Sequence, residues 1–241
     1  MEWKLILNFK IELNIFILLL LKNNMITFKN EYGIESSVNS FDELLTFIDY
    51  DFIYELNCSN NNLTSLPKLP IYLVNLDCSN NNLTRLPKLP LFLECLHCTN
   101  NKLAILPQIP KKLGWLYASD NNLTQLPKLS LNMRILYCSN NKLNKLPELP
   151  RKVKYLYCIN NNITDLPDMP ENLHYILYDN NPIYDFIDEY FEGCKNLYFE
   201  WKTQFKKKYV SKLSNWFLEC KYNPKYKYCR DRVNANYDEL V

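Results

Sequence analysis

The sequence predicts an α/β repeat solenoid, with a parallel β-sheet on the concave face, polyproline-like convex returns, and helical N- and C-terminal flanks. Three observations predict it. A twenty-residue segment recurs without insertion through the middle of the chain. Each copy carries apolar side chains at even spacing, which belongs to a strand. Two prolines then follow at fixed places, leaving no room for a helix of three turns.

The first copy runs from Leu56 to Asn75, and the frame restarts at Leu76, Leu96, Leu116, Leu136 and Leu156. Six full copies end at Tyr175, and a seventh, Ile176 to Ile183, starts the pattern without finishing it. Within the second copy, Leu76 and Cys78 point to one face of a short strand, while Asn75, Asp77 and Ser79 point to the other. Leu83, Leu86, Leu89 and Leu93 complete the inward set as the chain returns through Pro87 and Pro90. One such unit cannot bury its apolar face alone; stacked units bury it against each other. Asn61, Asn81, Asn101, Asn121, Asn141, Asn161 and Asn181 form a column at the bend after each strand. An amide offers both donor and acceptor to backbone groups exposed inside the stack, so this column reads as structural.

The pattern Leu73-x-x-Leu76-x-Cys78-x-x-Asn81-x-Leu83 resembles leucine-rich repeats, with cysteine in the place of the third leucine. The following Leu-Pro-x-Leu-Pro is similar to the short twenty-residue class found in secreted bacterial effector proteins. The resemblance covers residues 56–183, and it implies a curved solenoid used mostly for protein recognition. Some effectors with similar repeats carry a C-terminal ubiquitin-ligase domain with a Cys-x-Asp cysteine, and Cys229-Arg230-Asp231 matches that triplet. Only about 58 residues follow the repeats, too few for the large helical ligase domain, so a ligase-like effector stays a minor alternative.

Both ends of a solenoid need covering. Residues 25–55 read as an N-terminal cap. It comprises a small hairpin from Ile26 to Val38, then a helix opened by the capping box Ser40-Phe41-Asp42-Glu43 and running to about Phe47. Residues 184–241 read as a basic helical region: Tyr184 to Glu192 with Gly193 as its stop, Leu197 to about Lys221, and a third helix starting at Pro224. In the extension 1–24, the apolar run Ile15 to Leu21 is far shorter than the roughly 20 residues a spanning helix needs. No small-residue cleavage site follows it, and the reading favoured here starts translation at Met25.

Composition narrows the function. The formal net charge of +2 argues against a protein whose whole surface grips polyanions. Three scattered glycines exclude glycine-rich phosphate loops, and two histidines leave little for metal or acid–base chemistry. No cofactor, metal or catalytic residue is expected. Cys58, Cys78, Cys98, Cys138 and Cys158 share one repeat position with Ala118, which marks a small buried side chain. A column of free thiols suits a reducing compartment, hence the cytoplasm (of an infected host cell, if the source is viral) and not secretion. Cys95 and Cys98 lie three apart on one strand and face opposite sides, so they cannot share a metal. Cys95, His97 and Asp77 are the inventory of a thiol hydrolase, a minor alternative. Side chains two apart on a strand stand about 6.5–7 Å apart at the backbone, too far for a ready sulfur–imidazole bond.

The outward strand positions carry the functional expectation. One column runs Glu55, Asn75, Cys95, Trp115, Ile135, Tyr155, Tyr175; its neighbour runs Asn57, Asp77, His97, Tyr117, Tyr137, Tyr157, Leu177. Adjacent strands lie about 4.8 Å apart, so these columns become continuous ladders. The interior is already supplied by leucine and cysteine, so packing does not require the rings. The expected partner-binding residues are Trp115, Tyr117, Arg134, Tyr137, Tyr155, Tyr157 and Tyr175, flanked by Ser119, Ser139 and Lys154, and the partner expected is an unknown protein. The alternative is nucleic acid or an anionic surface held by the tail, where ten cations from Lys202 to Arg232 interleave with Phe205, Tyr209, Trp216, Tyr226 and Tyr228. Richness in Lys, Asn, Ile and Tyr suggests an AT-rich coding genome, and the ending Asn223 to Arg230 is similar to the tails of many uncharacterised giant-virus proteins.

Overall fold

The computed structural model of the chain describes residues 25–191, except 31 and 48, together with residue 199. The extension 1–24, the helices expected from Leu197 and from Pro224, Gly193 and the Cys229 triplet lie outside these residues. The repeats belong to the compact unit Met1–Asp185; a second unit, Phe186–Val241, falls mostly outside the described residues.

Strands β1 (Ile26–Asn30) and β2 (Glu35–Val38) pair antiparallel. Gly33 sits in their turn at φ 75°, a region side chains resist. The Asn30 side-chain oxygen accepts from the amides of Tyr32 and Ile34 and closes the turn. Helix α1 (Phe41–Leu45) follows, with the Ser40 hydroxyl accepting from the Glu43 amide and the Glu43 carboxylate accepting from the Asn39 amide. It stops at Leu45, short of Phe47, because the Thr46 hydroxyl donates to the Glu43 carbonyl and folds the last turn over. A 3₁₀ turn, Tyr50–Phe52, leads into β3 (Ile53–Asn57).

From β3 the strands recur every twenty residues: β4 (Asn75–Asp77), β5 (Cys95–His97), β6 (Trp115–Tyr117), β7 (Ile135–Tyr137), β8 (Tyr155–Tyr157) and β9 (Tyr175–Leu177). The sheet has nine strands in the order β2-β1-β3-β4-β5-β6-β7-β8-β9. β3 to β9 run parallel without stagger, Leu76 pairing with Leu96 and Leu116 with Leu136. The repeats therefore form a parallel-strand β-solenoid of about six turns. From β3 to β8 each strand is followed by a return without helix or strand.

Period-two alternation places Leu56, Leu76, Leu96, Leu116, Leu136 and Leu156 in the interior at 1% exposure or less. Cys58, Cys78, Cys98, Ala118, Cys138 and Cys158 sit beside them at 0%. Two residues further on, the chain turns. Asn60, Asn80, Asn100, Asp120, Asn140, Asn160 and Asn180 take φ between 53° and 59°, a left-handed region that Asn and Asp tolerate best among residues with a side chain.

The next residue holds the bend from inside. The Asn81 amide nitrogen donates to the carbonyls of Cys58, Cys78 and Ser79 at 2.9–3.1 Å, and its oxygen accepts from the amides of Asn61 and Leu63. Asn101, Asn121, Asn141, Asn161 and Asn181 donate in the same way to their own and the preceding turn. Each amide thus pins two successive repeats. The first turn of α2 (Pro182–Phe191) continues the stack, the Ile183 amide donating to the Ile163 carbonyl.

Candidate functional site

Because the interior positions of each strand are occupied by Leu and Cys, the flanking side chains are left on the outer face. Trp115 and Tyr117 stand half-buried on either side of the fully buried Leu116. Tyr155 and Tyr175 are 36% and 48% exposed. The parallel register then sets the rings in a row. His97 stacks on Tyr117 with centroids 4.1 Å apart, and Tyr117 meets Tyr137 edge-on at 5.1 Å. Tyr137 and Tyr157 lie 4.2 Å apart, and Tyr157 and Tyr175 lie 5.7 Å apart.

The other three expected residues, Trp115, Arg134 and Tyr155, lie beside this row. The Arg134 guanidinium sits over the Trp115 ring at 5.7 Å, and Tyr155 meets His174 at 6.0 Å. Six of the seven residues expected at the site therefore lie on the outer strand face, and Arg134 directly precedes β7. The hydrogen bond between Tyr137 and Tyr157 raises the Tyr157 hydroxyl above its ordinary pKa, with burial a lesser cause. Burial, then the neighbouring Cys95, raises Tyr117. Both phenols stay neutral donors at physiological pH.

The early repeats present a different outer face. The Asn57 side-chain oxygen accepts from the Ser59 amide and hydroxyl, and the Asp77 carboxylate accepts likewise from Ser79 at 2.9 and 2.6 Å. Glu55 accepts from the Asn75 amide at 3.0 Å and pairs with Lys29 at 3.4 Å.

Cys95 is half-buried, and its thiol is pushed up to about 11, first by burial and then by the Asp77 carboxylate. A thiol so protected from ionisation is a poor nucleophile. The His97 ring is stacked on Tyr117 with centroids 4.1 Å apart. Cys58, Cys98 and Cys158 are pushed up to about 12 by burial, and Cys78 and Cys138 rise for the same reason. Among the described residues no group of three His, Cys, Asp or Glu side chains is placed to hold a metal ion.

Sequence reasoning missed two features. Phe52, Tyr72 and Phe92 stack at 5.4 and 5.8 Å just ahead of the strands, with Ile71 and Leu91 exposed beside them and the Lys112 ammonium 4.7 Å above Phe92. Reading the twenty-residue columns one place at a time, beyond the strand, would have found it. The second is an exposed amide ladder beside the buried one. The Asn100 amide nitrogen donates to Asn80, Asn140 to Asp120, Asn160 to Asn140 and Asn180 to Asn160. The doubled Asn-Asn in nearly every repeat was its signal.

Repeat length, parallel unstaggered strands and the inward asparagine column settle the architecture. The solenoid has the leucine-rich-repeat fold. Among solved structures it is similar to YopM from Yersinia enterocolitica WA-314, at 35% identity and TM-score 0.54, over 54% of this chain and 29% of that one. A Shigella effector leucine-rich-repeat domain is 37% identical with TM-score 0.51, over 53% of this chain and 58% of the other. YopM from Yersinia pestis, a leucine-rich effector protein, is 41% identical with TM-score 0.51, over 53% and 37%. The repeats are thus like those of bacterial effectors, and the chain spans 58% or less of the structures it matches. No protein-family model matches the chain, and no curated protein matches it. Among the described residues no helix is long and apolar enough to cross a membrane.

Proposed function

We propose that the chain is a non-enzymatic protein-recognition module whose partner docks on the later half of the strand face, through Trp115, Tyr117, Arg134, Tyr137, Tyr155, Tyr157 and Tyr175. One observation carries the reading. The interior is complete without these rings, and no backbone turn depends on them, whereas Asn57 and Asp77 at the equivalent early positions cap their own turns. Rings and an arginine left over in this way are the usual energetic anchors of protein interfaces. The likeness to effector repeats supports protein binding in general.

The proposal includes polyproline-like returns, helical flanks that cover both ends of the stack, and a cytoplasmic setting suited to the free thiols. A giant-virus source rests on composition and on the Asn223 to Arg230 ending alone. The test is the Trp115/Tyr137/Tyr157 triple alanine variant. Its circular dichroism should match the parent while affinity capture of the partner is lost. An unfolded variant assigns the rings to the scaffold, and a folded variant that still captures the partner moves the docking site elsewhere.

A further inference from the structure

Along one rim of the ring row, cations accumulate. Arg134 and Lys154 directly precede β7 and β8, and Lys111, Lys112, Arg151 and Lys152 lie in the turns just before; all six are exposed. The equivalent positions in earlier repeats hold Tyr54, Val74, Glu94 and Gly114, then Asp51, Ile71 and Leu91, then Phe52, Tyr72 and Phe92, so positive charge begins where the outward rings begin.

No carboxylate among the described residues is paired with a rim cation. Among the described residues both ion pairs use Lys29, at the other end of the sheet. The rim cations instead contact uncharged groups: Arg134 lies over Trp115, Lys112 over Phe92, and Lys152 donates to the Asn132 side chain at 2.8 Å. Glu94 and Glu171 bracket the row in sequence, and Asp120 and Asp179 stand past the far ends of the strands. Exposed Lys102 and Lys142 also lie past those far ends, so the side that leads into the strands is the more cationic of the two.

On the strength of the docking face proposed above, we infer that the partner presents a short acidic stretch of polypeptide. It lies along the Lys112–Arg134–Lys154 rim, beside an apolar side chain seated on the rings. Strand spacing sets its length. From the fourth repeat to the seventh is three steps of about 4.8 Å, which about four extended residues at roughly 3.3 Å each would cover. Charge complementarity of this kind supplies orientation and on-rate, while the rings supply contact area. The rings also favour peptide over single-stranded nucleic acid. Base stacking needs open ring faces, and Tyr117 has one face covered by His97, stacked at 4.1 Å and 20°.

The experiment measures fluorescence anisotropy of three labelled probes against the intact chain. They are a peptide of about twelve residues alternating glutamate with leucine and tryptophan, the same peptide with lysine for glutamate, and a single-stranded oligothymidylate. The acidic peptide should bind, and more weakly as salt is raised. Arg134→Glu/Lys154→Glu should weaken it about tenfold or more, both sites being exposed and free of ion pairs. The lysines of the C-terminal region are present in both proteins, so the difference between parent and variant isolates the rim. The inference is overturned if the acidic peptide fails to bind, if the lysine peptide binds as well, if charge reversal changes nothing, or if the oligonucleotide is the probe preferred. Capture of the natural partner separates the two proposals. Loss with the triple alanine but not with charge reversal keeps the docking face and removes the acidic stretch. Retention by the triple alanine removes the face itself.

Discussion

In the first two repeats the outward strand side chains are tied to their own scaffold: Asn57 and Asp77 cap the serine turns that follow them, and Glu55 joins Asn75 and Lys29. The exposed aromatics there lie ahead of the strands, at Phe52, Tyr72 and Phe92. From the fourth repeat the assignment reverses. Rings occupy the strand face, and cations occupy the flank where rings stood before. Beneath this change the interior is constant through the sixth repeat, with leucine and a small residue at matching depth. One scaffold thus carries two exteriors, one spent on the fold and one left available, and the difference locates function where stability does not explain the residue.

The constant interior makes the largest effect the least selective. Leu76→Ala and Leu136→Ala each remove a side chain at 1% exposure or less from equivalent places in the two halves. Each should cost about 2–5 kcal/mol of unfolding free energy, and the two should agree closely. Urea denaturation monitored by circular dichroism measures this. A large disparity would mean that the halves do not share one core and that the contrast outside them has another origin.

The interior could be read from sequence because its rules are local and repeated. A Leu at every twentieth position, an even step to Cys or Ala, and an invariant inward Asn each satisfy one physical demand copy after copy. The paired roles of Asn80 and Asn81 were harder to see. Asn81 satisfies buried carbonyls, whereas Asn80 is needed for its left-handed φ of 54°, and only the backbone geometry separates them. The ring row was visible as two columns, but its connection was not. That His97 and Tyr175 join the tyrosines, and that Arg134 reaches Trp115, depends on side-chain rotamers. The flank stack escaped notice because Phe52, Tyr72 and Phe92 stand outside any strand, where period-two reasoning has no purchase.

A sharper contrast comes from exchanging roles at equivalent positions. Asp77→Ala deletes an acceptor serving both the amide and hydroxyl of Ser79, and should cost about 1–2 kcal/mol while leaving partner binding unchanged. Tyr137→Ala removes two ring contacts, to Tyr117 and Tyr157, and the hydrogen bond to Tyr157, and should cost about 1–3 kcal/mol. Its effect on binding should nevertheless be the greater by far. Thermal melts and titration calorimetry on the two variants provide all four numbers. If Tyr137→Ala destabilises more than it weakens binding, the rings are scaffold and the two exteriors are alike after all.

The smallest effect falls at the boundary, where the ring flank gives way to the cationic one. Lys112 belongs to both: its ammonium covers Phe92, and it begins the rim that continues through Arg134 and Lys154. An exposed cation–π contact contributes about 0.5–1 kcal/mol. Lys112→Gln keeps most of the side chain's length and its packing on the ring while removing the charge. The melting temperature should therefore fall by no more than a few degrees, about what 0.5 kcal/mol produces in a chain of this size. Binding of the acidic peptide should weaken by a smaller factor than charge reversal at Arg134 and Lys154 produces, because Lys112 lies at the end of the rim. An equal or larger loss would shift the centre of the docking face towards Phe92 and make the flank aromatics part of it, erasing the division between a committed half and an available one.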